Sequence, residues 1–441
     1  MEKMLHYIWK HRLYPSDEFR THDGALITVI DPGIYNTDAG PDFFNAKIRI
    51  GTTVWVGNIE IHNRASDWIL HRHDRDKMYD NVILHVVRHD DCKVYYTNNV
   101  EVRQVVLPVP VNVETNIEWL LSRDTPVPCE GNLFNIPAIY LSDWLTTLLM
   151  ERLERKTQDV EMRLSLNSKD WNETFYITLM RNFGFGTNSD IFEMLAKSLP
   201  FKHILKHRNN PLQIEALFFG QAGLLDDVSI SDPSRGFEPF GNYANELRTE
   251  YSFLRKKYNL QPVSGFLFRN LRTRPVNFPH VRLAQAAAVW THNDLLFSKI
   301  LETEDLVALR KFFNVEPSPY WSEHYNFNTV HKKDNSCVRR KSIGANATNI
   351  ILINTVAPIL FAYGKIKKRD NYCERALRLL EKIPAERNAI VTLFGNAGVK
   401  ADNAGDSQAL IQLQREYCEK KKCLYCRIGY RVLADIMKSY S

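Results

Sequence analysis

The feature that most constrains this chain is a change of hydropathic period near Pro137. Before it, apolar and polar residues alternate in short runs such as "ALITVIDPG", "FFNAKIRI" and "TTVWVGNIEIH", the spacing of strands whose successive side chains point to opposite faces. After it, apolar residues recur every three or four positions in "AIYLSDWLTTLLMERLERKTQDVEMRL", "WNETFYITLMRNFGFG", "NELRTEYSFLRKKYNL", "VRLAQAAAVWTHNDLLFSKIL" and "ERALRLLEKI", the period of helices. One type of element cannot serve both periods. The expected fold class is therefore α+β: an α/β domain over residues 1–125 and a larger all-α domain over 137–441. The proline-containing stretch "DTPVPCEGNLFNIP", residues 124–137, reads as the linker. A chain of 441 residues at 44% apolar composition is long enough to bury more than one core.

Within the first region the order of elements is α, β, β, β, α, β. A short amphipathic opening carries Leu5, Tyr7, Ile8 and Trp9. Three strand-like runs follow, the second and third separated by Gly51 as in an antiparallel hairpin. "RASDWILHRHDRDKMYDN" reads as a helix or an irregular connection with Ser66 or Asp67 as its cap. "VILHVV" has the continuous apolar character of a strand buried on both faces, and "KVYYTN" and "VRQVVLPV" read as further strands.

Composition narrows the functional classes. Seven cysteines, an odd number, argue for reduced thiols over a disulfide framework. The longest apolar stretch, "IILINTVAPILFAYG", is shorter than a membrane span, and the opening residues lack a signal-peptide pattern; a cytoplasmic location with no membrane partner is the expectation. Residues 1–125 hold 14 Lys+Arg against 18 Asp+Glu and eight of the 14 histidines, whereas the remainder holds 43 against 33. An acidic, histidine-rich part joined to a basic part suits a metal site in the first and polyanion binding in the second.

Folding "GPDFFNAKIRIGTTVWVGNIEIH" about a turn near Gly51 and Thr52 brings Asp42 across from the Glu60 and Ile61 region, and alternation places Glu60 and His62 on one face, which Asp42 shares in that register. Asp42, Glu60 and the Ile61 backbone carbonyl offer hard oxygen donors suited to Mg²⁺ or Mn²⁺, and His62 is placed to assist an attacking water. Pro41-Asp42 followed by Glu60-x-His62 resembles the PD-(D/E)XK nuclease superfamily, whose core has the order αβββαβ. The resemblance implies metal binding by Asp42 and Glu60; the lysine of its pattern falls at position 62, where this chain has histidine. It also implies a carboxylate from the first helix, for which Glu2, Asp17 and Glu18 offer no clear assignment. The whole chain further resembles an uncharacterised bacterial family catalogued as a domain of unknown function, through "GPDFFNAKI", "GNIEIH", "RPVNFPHVRLAQ" and "CLYCRIGYRVL". The expected activity is that of a metal-dependent nuclease on DNA or RNA. Its rivals are a non-catalytic nucleic-acid-binding or scaffold protein of the same fold, and a metallohydrolase acting on something other than nucleic acid, whose zinc or manganese is held by His62, His71, His73 and Asp76. His85, inside its apolar run, reads as a core histidine.

At the other end, Cys418, Cys423 and Cys426 fall within "YCEKKKCLYC", with a C-x-x-C pair of the spacing that grips one Zn²⁺ or, as in some nuclease relatives, an iron-sulfur cluster. Cys373 is the candidate fourth ligand. Basic runs at 269–274, 339–341, 365–370 and 420–422 offer phosphate contacts if folding gathers them. Among them Arg269, Arg272 and Arg274 are interleaved with Phe266, Phe268 and Phe278, for which packing is the expected role.

Overall fold

The computed structural model describes residues 2–21, 24–36, 39–225, 241–270, 274–327, 329–330 and 341–438. Arg272, Arg339 and Arg340 lie outside them. The chain is mixed α+β, an N-terminal sheet followed by helices. It divides into two compact units, Met1–Trp144 with Leu393–Val399 and Leu413–Ser441, and Leu145–Thr392 with Lys400–Gln412. The boundary expected at 125–137 thus falls at 144/145, and the C-terminal cysteines, expected in the helical domain of 137–441, cluster with the sheet. The stretch 124–137 is no loose linker: Val127, Cys129, Leu133 and Ile136 are buried, and Gln414 Nε2 donates to the Pro126 carbonyl at 3.1 Å.

The first unit opens with helix α1 (Glu2–Lys10), which buries Leu5, Ile8 and Trp9. Strands β1 (Glu18–Arg20), β2 (Leu26–Asp31), β3 (Ile34–Tyr35), β4 (Phe43–Ile50) and β5 (Thr53–Arg64) follow, then a one-turn helix α2 (Asp67–Leu70) and strands β6 (Val82–His89) and β7 (Gln104–Val106). The sheet order is β1-β2-β4-β5-β6-β7, with β3 paired to β4. β2, β4 and β5 form an antiparallel meander, and β6 and β7 run parallel to β5. The short β1 and β3 carry too few residues to show a period in the sequence. "KVYYTN", read as a strand, contributes only the isolated bridge Tyr95↔Glu101. Gly51 turns the hairpin at φ +58°, as its lack of a side chain permits.

One irregularity in the hairpin decides which of its side chains face each other. Phe43 pairs with Ile59 but Ala46 pairs with Gly57, so β4 carries one residue more than β5 over this span. Asn45, at φ +54°, takes up the extra residue. Because side chains alternate, one inserted residue exchanges the faces of everything beyond it. The bulge therefore sets Asp42 opposite Glu60 rather than opposite Ile61.

The second unit is helical apart from a two-stranded antiparallel sheet, His324–Asn326 with Thr329–Val330, which departs from the all-α expectation. α3 (Val111–Ser122) still belongs to the first unit, whereas α4 (Ala138–Leu166) and α5 (Trp171–Phe183) begin the helical series. The segment 281–301, read as one helix, is two, Pro279–His292 and Leu296–Glu302, divided at Leu295 with φ +47°. The "IILINTVAPILFAYG" helix is longer than its apolar stretch: Ala345–Lys367 spans 23 residues, enough by length and composition to cross a membrane, and its most apolar 18-residue window, at mean hydropathy 1.5, is 67% buried inside the structure. Pro358 has no N–H to give the Asn354 carbonyl, the chain widens to π geometry over Leu352–Val356, and Asn182 Nδ2 donates to that carbonyl at 3.0 Å instead. Phe268 is buried as expected, but Phe266 is 90% exposed.

Candidate metal centre

Alternation along β5 divides its buried stretch into two sets. Ile59 and Ile61 join Leu84 and Val86 of β6 in an apolar layer that is fully or almost fully buried. Glu60 and His62 face the other side, and the register aligns Glu60 with His85 and His85 with Gln104 across three strands. Over this polar row lies the connection 66–80, which buries Trp68 beside His85, with ring centroids 5.1 Å apart. The connection is α2 followed by two 3₁₀ turns, His73–Arg75 and Lys77–Tyr79. Ser66, a candidate cap, instead donates its Oγ to Asp91 at 2.8 Å. Arg72, at φ +64°, reverses the chain between His71 and His73. That reversal turns both imidazoles toward His62; on a helix they would diverge.

Nitrogen and oxygen atoms converge at this point. Nε2 of His73 lies 3.3 Å and Nε2 of His62 lies 3.6 Å from Oε1 of Glu60, and His71 Nδ1 is 3.1 Å from His62 Nε2. Donor atoms of His62, His71 and His73 all lie within 4.8 Å of one another. His73 is stacked on Tyr79 at 3.7 Å between centroids, and its Nε2 is buried with no hydrogen-bond partner.

A chain of hydrogen bonds fixes the protonation of His62. Gln104 donates Nε2 to Asp90 Oδ1 at 2.5 Å and to the Cys92 carbonyl, so its Oε1 accepts from His85 Nδ1 at 2.9 Å. Neutral His85 then accepts at Nε2, and His62 Nδ1 must be the donor of the 2.8 Å bond between them. His62 is left with a lone pair on Nε2, aimed at His71 and Glu60. Both histidines are held neutral: burial first, and then neighbouring imidazoles, push His62 down to about 2, and burial pushes His85 down to about 4 against the hydrogen bond to Gln104.

Glu60 is in the opposite condition. Its pKa is raised far above the usual carboxylate range, by burial first and then by the charge of Asp42. The one N–H that supports it is the backbone of Asp42, donating to Oε2 at 3.1 Å, and Asp42 Oδ2 in turn accepts from the Ile61 N–H at 2.9 Å. A buried carboxylate facing an imidazole lone pair costs several kcal/mol unless a proton or a cation intervenes.

Asp42 and Glu60 are thus cross-strand neighbours, as the hairpin predicts, and His62 shares their site. Ile61 does not serve as expected: its N–H is taken by Asp42 and its carbonyl lies beside the ring of His6. His6 comes from α1, where a carboxylate is implied by the nuclease resemblance, and its Nε2 is 3.2 Å from Asp42 Oδ2. Burial alone would lower the pKa of His6, but Asp42 and the Ile61 backbone raise it. Asp76 is exposed and spends its Oδ1 on the Met78 N–H at 2.9 Å; it is no part of the histidine group. His85 is a core residue, fully buried, but also the link that orients His62. Two residues were missed by sequence reasoning, His6 and Gln104. An apolar helix face interrupted by histidine was the available signal for the first; for the second there was none.

At the C-terminal end, Cys418, Cys423 and Cys426 line one cavity together with Cys129. Cys373 lies in the other unit and donates to the Phe361 carbonyl at 3.5 Å.

The family described as "Protein of unknown function (DUF2851)" matches residues 2–389. No curated protein and no solved structure matches the chain. The chain belongs to the DUF2851 family.

Proposed function

We propose that this DUF2851 protein is a metal-dependent hydrolase of nucleic-acid phosphodiesters whose ion is held by Glu60, His62, His71 and His73. The carrying observation is the buried convergence of a carboxylate oxygen, an imidazole lone pair fixed by its hydrogen bonds, and an unpartnered imidazole nitrogen. Three imidazoles and one carboxylate favour Zn²⁺, Mn²⁺ or Fe²⁺ over Mg²⁺. When bound, a divalent ion in such a site supplies a Lewis acid and a water of lowered pKa.

The chain's own groups set the remaining roles. Asp42 and Glu60 stand side by side because of the β4 bulge, and His85 and Gln104 hold His62 in the ligating tautomer. The phosphodiester assignment draws on the surface beyond Asp42. Lys3, His6, Lys10, Tyr35 and Tyr425 line a groove there, with the Lys10 ammonium 5.5 Å from the Tyr35 ring centre. Cations interleaved with aromatics suit a phosphate backbone and its bases. The antiparallel meander β2-β4-β5 followed by a helical turn and a parallel strand supports the comparison with the αβββαβ order implied by the nuclease resemblance, with β1 and β3 as additions to it.

Metal content and cleavage of single-stranded and duplex DNA and RNA test the proposal together. Chelator-sensitive cleavage is expected, lost along with the metal in Glu60→Gln and His73→Ala. Cleavage undiminished in both variants would discard this site, and nucleic-acid binding with no cleavage under any divalent ion would favour the scaffold reading.

A further inference from the structure

We propose that Cys129, Cys418, Cys423 and Cys426 form a second, thiolate-ligated metal centre, independent of the histidine site. Four of the six described cysteines line one cavity, although Cys129 and Cys418 are separated by most of the helical series; among the described residues only the histidine trio brings three ligand atoms within 4.8 Å of one another, so binding would have to draw the sulfurs together. Apart from Tyr417, the other lining side chains are apolar, among them Leu120, Leu133, Phe394 and Ile428. Such a lining offers no charged ligand to compete, and thiols are its dominant chemistry.

The local backbone gathers the last three cysteines in one short segment. Lys421 takes φ +48°, closing a turn in which the Lys421 N–H donates to the Cys418 carbonyl at 3.0 Å and the Lys422 N–H to the Tyr417 carbonyl at 2.8 Å. A single 3₁₀ turn, Cys423–Tyr425, then separates the C-x-x-C pair. Cys426 immediately precedes helix Arg427–Lys438, its carbonyl accepting the first helical bond from Tyr430 at 2.9 Å; the positive end of the helix favours a thiolate there. Gly429 permits the approach, since a Cβ on it would stand 2.2 Å from the Cys423 carbonyl oxygen. Cys129 closes the set from the stretch between α3 and α4.

A bound Zn²⁺ or iron-sulfur cluster would take the sulfurs in their deprotonated form. Three of the four ligands lie beyond residue 389, where the family match ends.

The test is elemental analysis of the full chain purified without oxygen, with acid-labile sulfide and visible absorption to separate the two metals. In a His73→Ala background, where the proposed histidine-site ion is lost, about one zinc per chain with no visible band, or iron with matching sulfide and a broad visible band, is the expected result. It should fall at least tenfold in Cys129→Ser and Cys423→Ser and stay unchanged in Cys373→Ser. X-ray absorption on the wild type keeps the test decisive if a serine variant fails to fold. A shell of sulfur at about 2.3 Å is expected, whereas nitrogen and oxygen alone would mean that only the histidine site holds metal. No sulfur-bound metal after reconstitution with zinc and with iron and sulfide, or equal content in Cys129→Ser, would overturn the proposal.

Discussion

Glu60 and Glu215 are both buried, one in each unit, and their surroundings differ. Glu215, on the helix Pro211–Gln221, gives Oε2 to the hydroxyl of Tyr243 and to Trp321 Nε1 at 2.8 Å, and Tyr243 is braced by Ser318 at 2.9 Å. Burial raises its pKa, and donors from Tyr243, Trp321 and Ser318 hold the rise in check. Glu60 has one backbone donor on Oε2 and, on Oε1, two imidazole nitrogens that make no hydrogen bond to it within the described residues. Similar burial with unequal satisfaction separates a carboxylate that serves packing from one that awaits a ligand.

The sharpest way to break this contrast is to remove each carboxylate in turn. Glu215→Ala strands a buried hydroxyl and a buried indole N–H and should destabilise the helical unit by about 3–5 kcal/mol, measured by urea unfolding. Glu60→Gln should leave the metal-free protein as stable as wild type or more so. Equal losses at both positions would erase the distinction.

Next in size is the support behind His62. Gln104→Leu removes the acceptor that sets the tautomer of His85, and hence of His62, and should weaken metal binding about 10- to 100-fold, read by competition with a chelating dye. Unchanged affinity would show that the hydrogen-bonded chain does not reach the ligand.

A pH series sharpens the comparison further. In the unfolded chain Glu60 ionises near its ordinary 4.5, whereas in the metal-free fold burial and Asp42 hold it protonated well above that. Between the two values the unfolded state has lost a proton that the native state keeps, so native stability falls as pH rises, by at most about 1.4 kcal/mol per unit. The advantage of Glu60→Gln over wild type should accordingly grow from pH 5 to pH 8 and vanish below the ordinary value. His62 and His85, held neutral, act in the reverse sense, costing stability as pH falls below the ordinary imidazole value of 6.5. A gap between variant and wild type that stayed constant with pH would mean that Glu60 is ionised in the metal-free fold.

The smallest effect is expected at the groove. Lys10→Ala should weaken nucleic-acid binding modestly and lower the slope of log affinity against log salt by about one. A slope left as it was would place the phosphate path elsewhere.

Much of the first unit was legible from alternation alone. β2, β4, β5 and β6 sit where their β-branched runs predict, because a strand with a buried face must place an apolar residue at every second position. The pairing of Asp42 with Glu60 was legible as well, but its correctness depended on the bulge at Asn45, which no period reveals. The connection 66–80 gave no reliable signal. His71 and His73 would share a face on a strand but diverge on a helix; the chain forms no strand there, and the left-handed turn at Arg72 brings them to His62.

By itself, the sequence determined what is local and periodic: a sheet first, helices after, a hairpin at Gly51, and a C-x-x-C turn near the end. Tertiary structure alone decided which distant groups meet, namely His6 with Asp42, Gln104 with His85, and Cys129 with the three cysteines almost three hundred residues away. Periodicity records which side of an element is buried, since burial repeats with the backbone. It carries no record of which other buried side lies opposite, and a ligand set is made of just those encounters.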